Sequence, residues 1–153
     1  MSTTKIDARL ARDAALMQEL YTAGQLVNAL VTRELEAVGV AAHDFSFLGW
    51  IAQLQPVTPT RLAAETGLPA TTIRDYIRRG LDRGTLRKEP NPQDGRSYHL
   101  VLSPAGTRLM TRGYPAVIAA YVRLEPRLGG SARYLEAVRE LRAALKQVLA
   151  EHD

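Results

Sequence analysis

The sequence predicts a mainly α-helical fold with one small β-hairpin in its middle. Three observations favour this fold class. Apolar residues recur every three or four positions in the first third and at the end of the chain, which is the period of an amphipathic helix. The period changes to two after Gly84, as expected for strands. Proline, glycine and hydroxyl residues separate these segments at positions typical of helix and turn boundaries.

The first third of the chain predicts one long helix that ends before Gly39, a plausible C-terminal cap. A helix of about 30 residues usually packs against a partner along its length. Its apolar stripe consists of Leu16, Leu20, Ala23, Val27, Val31, Leu35 and Val38.

The last third predicts two more helices. Ser103-Pro104 begins the first, and Pro115 in its interior should kink it. Pro126 and Gly129-Gly130 should break the chain, after which Ser131 is expected to cap the last helix. The apolar stripe of this last helix consists of Tyr134, Val138, Leu141, Leu145 and Val148.

The middle third predicts three helices followed by two strands. An apolar helix over Phe45–Leu54 stops at Gln55-Pro56, and a short helix over Thr60–Thr66, begun by Thr58-Pro59, ends at Gly67. A further helix runs from about Ala70 to Arg83. Strands are expected over Thr85–Glu89 and Ser97–Leu102. In the turn over Pro90–Gly95, the pair Asp94-Gly95 is expected to supply a positive φ.

This order of elements is that of a winged helix-turn-helix, because a hairpin directly follows the second helix of the pair. Such a helix fits the DNA major groove, and its N-terminal residues reach the base edges. Ile73 and Ile77 should face the core, which leaves Thr71, Arg74 and Arg78 on one outward face. The neighbouring Thr72 and Arg79 are further candidate DNA contacts.

Two charged residues near this face have alternative interpretations. Asp75 could accept a hydrogen bond from a cytosine amino group, or it could orient Arg78 or Arg79, and the second role is favoured because it avoids a free carboxylate near phosphate. Arg96 at the hairpin tip could enter the minor groove. The alternative is a surface turn in which Asp94 and Arg96 pair and bind no partner.

The charge distribution supports an anionic partner. The chain has 153 residues with 20 Lys and Arg against 16 Asp and Glu, a net charge of only +4. Residues 61–112 hold ten basic and five acidic side chains, a balance of +5, against −2 before and +1 after this segment. A localised basic surface is expected of a phosphate-binding face, although a solvated surface that is basic by chance would look the same.

Composition excludes several other classes. The chain has no cysteine, so it can hold no disulfide, thiol nucleophile or cysteine-ligated zinc. His43, His99 and His152 have no metal-binding spacing, and neither a G-x-S-x-G motif nor a phosphate-binding glycine loop occurs. We therefore expect no enzyme activity, cofactor or metal. Met1–Asp13 lacks an apolar signal-peptide core and no apolar stretch could span a membrane, so the cytoplasm is expected.

Residues 81–106 resemble the signature of MarR-family transcriptional regulators. That signature has a glycine after the recognition helix, an Asp-x-Arg wing and a Leu-(Thr/Ser)-x-x-Gly helix start, which correspond here to Gly84, to Asp94 with Arg96, and to residues 102–106. The segment from Arg61 to Leu68 resembles the first helix of the family's helix pair. The terminal helices match the family's dimerisation helices in number and place.

The resemblance implies a single domain over residues 1–153. Residues 1–40 and 104–153 would form a homodimer, and residues 41–103 would form the DNA-binding lobe. Residues 70–79 would be the recognition helix, Arg96 would be the wing-tip arginine, and Asp94 would brace the wing by pairing with a nearby arginine. Such a dimer would bind a pseudo-palindromic operator in double-stranded DNA, most often as a repressor.

Two residues depart from the family pattern. Gly80 stands where a core leucine is usual, and the missing side chain leaves space that could change the end of the recognition helix. Lys88 stands where an arginine is common, which could weaken a bidentate contact.

The resemblance also implies a small aromatic or anionic effector bound between the dimerisation helices and the winged helix. Candidate contacts are His43, Phe47, Trp50 and Tyr114, although Phe47 and Trp50 could equally be core residues and His43 a surface residue. The rival function is a winged-helix module that binds another protein and no DNA. That rival would need an apolar patch where a DNA reader exposes Arg74, Arg78, Arg79 and Arg96.

Overall fold

The computed structural model describes residues 8–151, with side chains from residue 14 onward. The helices are α1 (Ala8–Ala37), α2 (Ala42–Leu54), α3 (Pro59–Thr66), α4 (Ala70–Asp82), α5 (Pro104–Leu128) and α6 (Ala132–Ala150). The strands β1 (Leu86–Pro90) and β2 (Tyr98–Leu102) lie between α4 and α5. The predicted fold class is confirmed. The predictions for Met1–Asp13 and His152 concern residues outside this description or outside its side chains.

The hairpin is antiparallel, and Leu86 pairs with Leu102 while Pro90 pairs with Tyr98. Val57 extends it by one bridge, because its amide and carbonyl both bond to Leu100. The side chain of Gln55 accepts a hydrogen bond from the amide of Leu102 at 2.8 Å. The wing is therefore attached to the segment before α3 as well as to the end of α4.

One hydrophobic core holds the helix pair, the hairpin and parts of the long helices together. Its fully buried members come from five elements or their connections, namely Leu35, Ile51, Val57, Leu62, Ile73 and Leu100. The C-terminal half of α1 joins this core and packs against α5. The apolar residues of α1 from Leu16 to Val27 remain exposed apart from the half-buried Leu20, so only part of the predicted stripe is covered within one chain.

Two predicted helix caps have the expected geometry. Thr58 accepts a hydrogen bond from the amide of Arg61 at 3.2 Å, and Ser103 accepts one from the amide of Gly106 at 3.1 Å. Each is followed by proline at the first helical position, where the missing N–H costs nothing. Ser103 also donates to the carbonyl of Gly84, which ties the start of α5 to the end of α4.

The predicted cap at Ser131 is wrong in its chemistry. Ser131 stands at the N-cap position of α6, but its backbone is already helical and its side chain caps no amide. Its hydroxyl instead lies 2.7 Å from the hydroxyl of Tyr121 on α5. This contact joins the two helices that flank Gly129 and Gly130, both of which have positive φ.

The predictions for Gly95 and for Pro126 are also wrong. Gly95 does not have a positive φ, because residues 91–97 form a longer loop that does not need a two-residue hairpin turn. In this loop Asn91 accepts a hydrogen bond from the amide of Gln93 at 3.0 Å. Pro126 does not break the chain, since α5 continues to Leu128. Pro126 and Val122 are exposed, so water can hydrate the carbonyl that proline leaves without a helical donor.

Among the described residues, no helix is both long and apolar enough to cross a membrane.

Candidate nucleic-acid interface

Helix α4 is held on the core by one face, which leaves the opposite face open. Ile73 and Ile77 are 1% and 4% exposed, and Leu62 on α3 is fully buried beside them. Gly67 closes α3 in the left-handed conformation with φ of 68°, which lets the chain turn directly into α4. The predicted outward residues Thr71, Arg74 and Arg78 are exposed, whereas Thr72 is half-buried.

The arginines of this face are held by contacts within α4. Arg78 lies 3.3 Å from the carboxylate of Asp75, and both side chains are more than 60% exposed. Of the two interpretations of Asp75, the free structure therefore has the one in which it orients Arg78. The guanidinium Nε of Arg74 donates to the carbonyl of Ala70 at 3.3 Å. Both contacts are exposed and weak, so each arginine can exchange its partner for a phosphate or a base at little cost.

Arg79 differs from the other two arginines because it belongs to an aromatic stack. Its guanidinium carbon lies 4.6 Å from the ring centroid of Tyr76, and that ring stacks on Phe47 of α2 at 4.8 Å between centroids. The Nε of Arg79 is buried and has no hydrogen-bond partner among the described residues. The stack fixes the stem of Arg79, so only its terminal nitrogens remain available to a ligand.

The sequence interpretation missed Tyr76. It precedes Ile77 and therefore borders the buried face of α4, a position from which an aromatic ring can reach a neighbouring helix. The predicted effector contact Phe47 is 5% exposed and is used to support this ring.

The loop of the wing is built around Asn91 and Asp94. Asn91 donates to the hydroxyl of Ser97 at 2.7 Å, and Asp94 accepts from the backbone amide of Arg96 at 3.0 Å. Asp94 therefore braces the wing through a backbone amide, and within residues 14–151 it forms no ion pair with an arginine. The side chain of Arg96 is left exposed at the tip, without an ion-pair partner in the described chain.

The two departures from the family pattern have local explanations. A Cβ atom on Gly80 would lie 2.6 Å from Cδ1 of Leu86, so the first core residue of β1 occupies the space that a leucine in α4 would need. Helix α4 continues past Gly80 to Asp82, so the missing side chain does not end the helix. Lys88 lies 4.2 Å above the ring of Tyr98 on the partner strand, a cation–π contact across the wing.

The four predicted effector residues do not form one site. Trp50 and Tyr114 line a single cleft of about 270 Å³ between α2 and α5, where Tyr114 also packs edge-on against Phe45. Phe47 lies in the aromatic stack described above. His43 is exposed and lies 3.2 Å from Asp44, whose carboxylate also pairs with Arg83 at the end of α4. That last pair, between residues 39 positions apart, had no signal in the sequence.

The helix pair, the basic outer face of α4 and the braced wing define a winged-helix protein. Residues 38–97 match the family model described as MarR family. The resemblance to the MarR family seen in the sequence is therefore confirmed for this segment, which contains the helix pair and the wing. Among curated proteins no sequence matches the chain.

Solved structures share the fold over nearly the whole chain. A mutant of MarR from E. coli, complexed with operator DNA, has a TM-score of 0.71 at 20% identity and covers 91% of this chain and 96% of its own. The transcriptional regulator MOSR from M. tuberculosis, in complex with DNA, has a TM-score of 0.70 at 22% identity, covering 88% and 97%. A MarR-family transcriptional regulator from Rhodococcus has a TM-score of 0.64 at 22% identity, covering 91% and 95%.

Proposed function

We propose that this protein is a sequence-specific DNA-binding transcriptional regulator, most simply a cytoplasmic repressor that acts as a homodimer without catalysis. In this proposal residues 41–103 bind DNA, and residues 1–40 and 104–153 form the dimer within a single domain. The observation that carries the proposal is the exposed basic face of α4, which is followed by a wing with the free cation of Arg96. Two solved structures of the same fold contain DNA, which supports this function.

The residues divide into two expected roles on DNA. Thr71, Arg74 and Arg78 would enter the major groove, because they lie on the exposed face near the start and middle of α4. Thr72 and Arg79 would contact phosphate from the border of that face, since each is partly buried. Arg96 would enter the minor groove, where the negative potential is concentrated. In a dimer the two α4 helices would read half-sites about one helical turn apart.

A random-site selection on double-stranded DNA at two salt concentrations tests this function. We expect a pseudo-palindromic motif, and we expect Arg74→Ala, Arg78→Ala and Arg96→Ala each to weaken binding to it by about 1–3 kcal/mol. Loss of the Arg96 cation should also reduce the slope of log affinity against log salt by about 1 if it neutralises one phosphate.

The matched control is Arg139→Ala, an exposed arginine of α6 that lies off that helix's apolar stripe. Its affinity for the selected DNA should equal that of the wild type. If all four variants bind equally well, the contact assignment is wrong. Recovery of no motif, with only weak salt-sensitive binding, would instead favour the rival winged-helix module that binds a protein partner.

We propose further that the cleft beside Trp50 and Tyr114 is the effector site. No charged residue among those that the structure describes lines it, so a neutral aromatic molecule fits its chemistry better than an anion. The lining residues are Val31, Phe45, Ser46, Gly49, Trp50, Gln53, Met110, Tyr114 and Val117. Ser46, Gln53 and Tyr114 supply the polar atoms that would orient such a ligand.

Because Trp50 is the only tryptophan, its fluorescence reports directly on this cleft. We expect 2-naphthol to quench it saturably and Tyr114→Ala to weaken the quenching, whereas Arg139→Ala, off the apolar stripe of α6, should leave it unchanged. Quenching that is linear in 2-naphthol concentration, or equal in both variants, would contradict the assignment.

A further inference from the structure

Arg79 is held in place on α4 without having its charge neutralised, which sets it apart from the arginines around it. Arg78 and Arg83 each pair with a carboxylate, the first on its own helix and the second on α2. Arg79 forms no ion pair within the described chain and lies instead over the ring of Tyr76. An aromatic ring attracts and orients a guanidinium group but does not neutralise it. Arg79 is therefore a restrained cation whose full charge remains available to an anion.

The ring of Tyr76 is itself fixed from below. It stacks on Phe47 with an angle of 15° between the two rings, and Phe47 belongs to the hydrophobic core. The guanidinium group, the tyrosine ring and the phenylalanine ring thus form three layers that are anchored in the core. The Nε of Arg79 is buried in this stack without a hydrogen-bond partner in the described chain, so the terminal nitrogens are the donors that can reach a ligand.

The position of this stack on α4 indicates what its ligand is. Thr72, Tyr76 and Arg79 follow one another at helical spacing along the border of the exposed face that the proposed function assigns to the major groove. Residues at the border of such a face meet the DNA backbone, whereas those at its centre meet the bases.

We propose that Tyr76 is a positioning residue that aims Arg79 at one phosphate of the DNA backbone. This inference rests on the proposed DNA-binding function. The planar donors of a guanidinium group match phosphate oxygens in two parallel hydrogen bonds, but only if the group has the right direction. Because the stack restrains the side chain before DNA arrives, Arg79 loses less rotamer freedom on binding.

The first test compares the affinity of variants for the selected DNA at two salt concentrations, by fluorescence anisotropy. Arg79→Gln should bind about tenfold more weakly and with a salt slope smaller by about 1, because one phosphate contact is lost. Tyr76→Leu should bind about three- to fivefold more weakly with an unchanged slope, since the charge remains but is no longer directed. Tyr76→Phe is the matched control and should bind as the wild type does, because the hydroxyl forms no hydrogen bond within the described chain.

The double variant with Tyr76→Leu and Arg79→Gln separates positioning from a general structural role. It should bind no more weakly than Arg79→Gln alone, because Tyr76 acts only through Arg79. Losses of affinity that multiply would overturn the positioning role. A repeated random-site selection with Arg79→Gln should return the wild-type motif, since a phosphate contact carries no sequence information. A changed base preference would overturn the phosphate assignment.

Nuclear magnetic resonance tests the stack without DNA. The Nε–H resonance of Arg79 should be shifted upfield by the ring of Tyr76, should lose this shift in Tyr76→Leu and should keep it in Tyr76→Phe. A resonance that is the same in all three proteins would overturn the proposal.

Urea denaturation of each variant distinguishes loss of a contact from loss of folding. If Arg79→Gln lowers the free energy of unfolding but leaves the affinity for DNA unchanged, the stack serves only folding and the proposal is wrong, while the proposed function stands. A wild-type protein that selects no DNA motif would contradict the proposed function itself, and the phosphate role of Arg79 would fall with it.

Discussion

At the scale of single residues, the contact between Gly80 and Leu86 explains how the chain lacks the usual core leucine. Leu86 is 4% exposed, and its Cγ would lie 2.8 Å from a Cβ on residue 80. The carbonyl of Gly80 also accepts two hydrogen bonds from Thr85, through its amide at 2.8 Å and its hydroxyl at 3.1 Å. The end of α4 and the start of the wing are therefore packed as one unit.

This packing predicts a sign reversal in a double-mutant cycle. Gly80→Ala alone should destabilise the protein by about 1–3 kcal/mol, because the added methyl group overpacks against Leu86. In a Leu86→Ala background the same change should stabilise by up to about 1 kcal/mol, since alanine is a better helix former and the space is then open. Urea denaturation measures both values.

The control for this cycle is Gly49→Ala in α2, where a Cβ would meet only Met110 at 3.7 Å, an ordinary contact. This change should be neutral or stabilising in both backgrounds. Equal effects of Gly80→Ala with and without Leu86 would show that the two residues do not compete for the same space.

At the scale of elements, the C-terminal end of α6 lies against the helix-turn-helix. Lys146 donates to the carboxylate of Glu65 on α3 at 2.6 Å, although the two residues are 81 positions apart. Leu149 and Ala150 face the turn at Gly67 and Leu68 across a groove. This end of α6 therefore contacts the helix pair through one partly exposed ion pair and the apolar residues beside it.

The contact predicts a pH-dependent contribution to stability. The hydrogen bond from Lys146, together with its positive charge, lowers the pKa of Glu65, and Arg61 and Arg142 act in the same direction. A carboxyl whose pKa is lowered by folding stabilises the folded state above its unfolded pKa of about 4.3, and this stabilisation is lost as the pH falls through the lower folded pKa. Because both side chains are about one-third exposed, the contribution is at most about 1 kcal/mol.

Glu65→Gln should therefore lower the free energy of unfolding at pH 7, and its difference from the wild type should shrink steadily below about pH 4. Urea denaturation at several pH values measures this difference. Glu140→Gln, an exposed carboxylate of α6, should show little difference at any pH. A difference for Glu65→Gln that stays constant down to pH 2 would exclude the ion pair as its cause.

At the scale of the whole molecule, the long helices α1 and α6 leave many apolar side chains exposed in a single chain. None of the described residues of α6 is buried, and Tyr134, Val138 and Leu145 on its stripe are between 40% and 58% exposed. Leu16 and Val27 on α1 are 61% and 54% exposed. Contiguous apolar surface of this kind usually marks an interface, and these are the two ends of the chain that the proposal assigns to the dimer.

The dimer proposal predicts that the same charge weakens the dimer on one face of α6 and has no effect on the other. Val138→Glu should shift the protein towards monomer by at least about tenfold in dissociation constant, because it places a carboxylate in an apolar interface. Ala143→Glu puts the same charge on the opposite, exposed face and should leave the dimer intact. Sedimentation equilibrium distinguishes them, and a wild-type monomer would contradict the proposal before either variant is made.

The sequence by itself determined the order of the elements and the outward face of α4. Thr58, Gly67 and Ser103 act on backbone groups a few residues away, and the helical period places Ile73 and Ile77 on one side whatever they pack against. Such local signals can be read from a linear chain. The resemblance to the MarR family rests on residues close together in the sequence around the wing, so it could also be seen in the linear chain, and it was confirmed.

Only the tertiary structure decided which distant side chains meet. Phe47 and Trp50 lie only three positions apart on α2, yet they have different partners. Phe47 supports Tyr76 and Arg79, whereas Trp50 shares a cleft with Tyr114. Leu86 fills the space beside Gly80, and Ser131 bonds to Tyr121 instead of capping its own helix. These outcomes depend on the volume and direction of side chains from separate elements, and no periodicity or spacing in the chain encodes them.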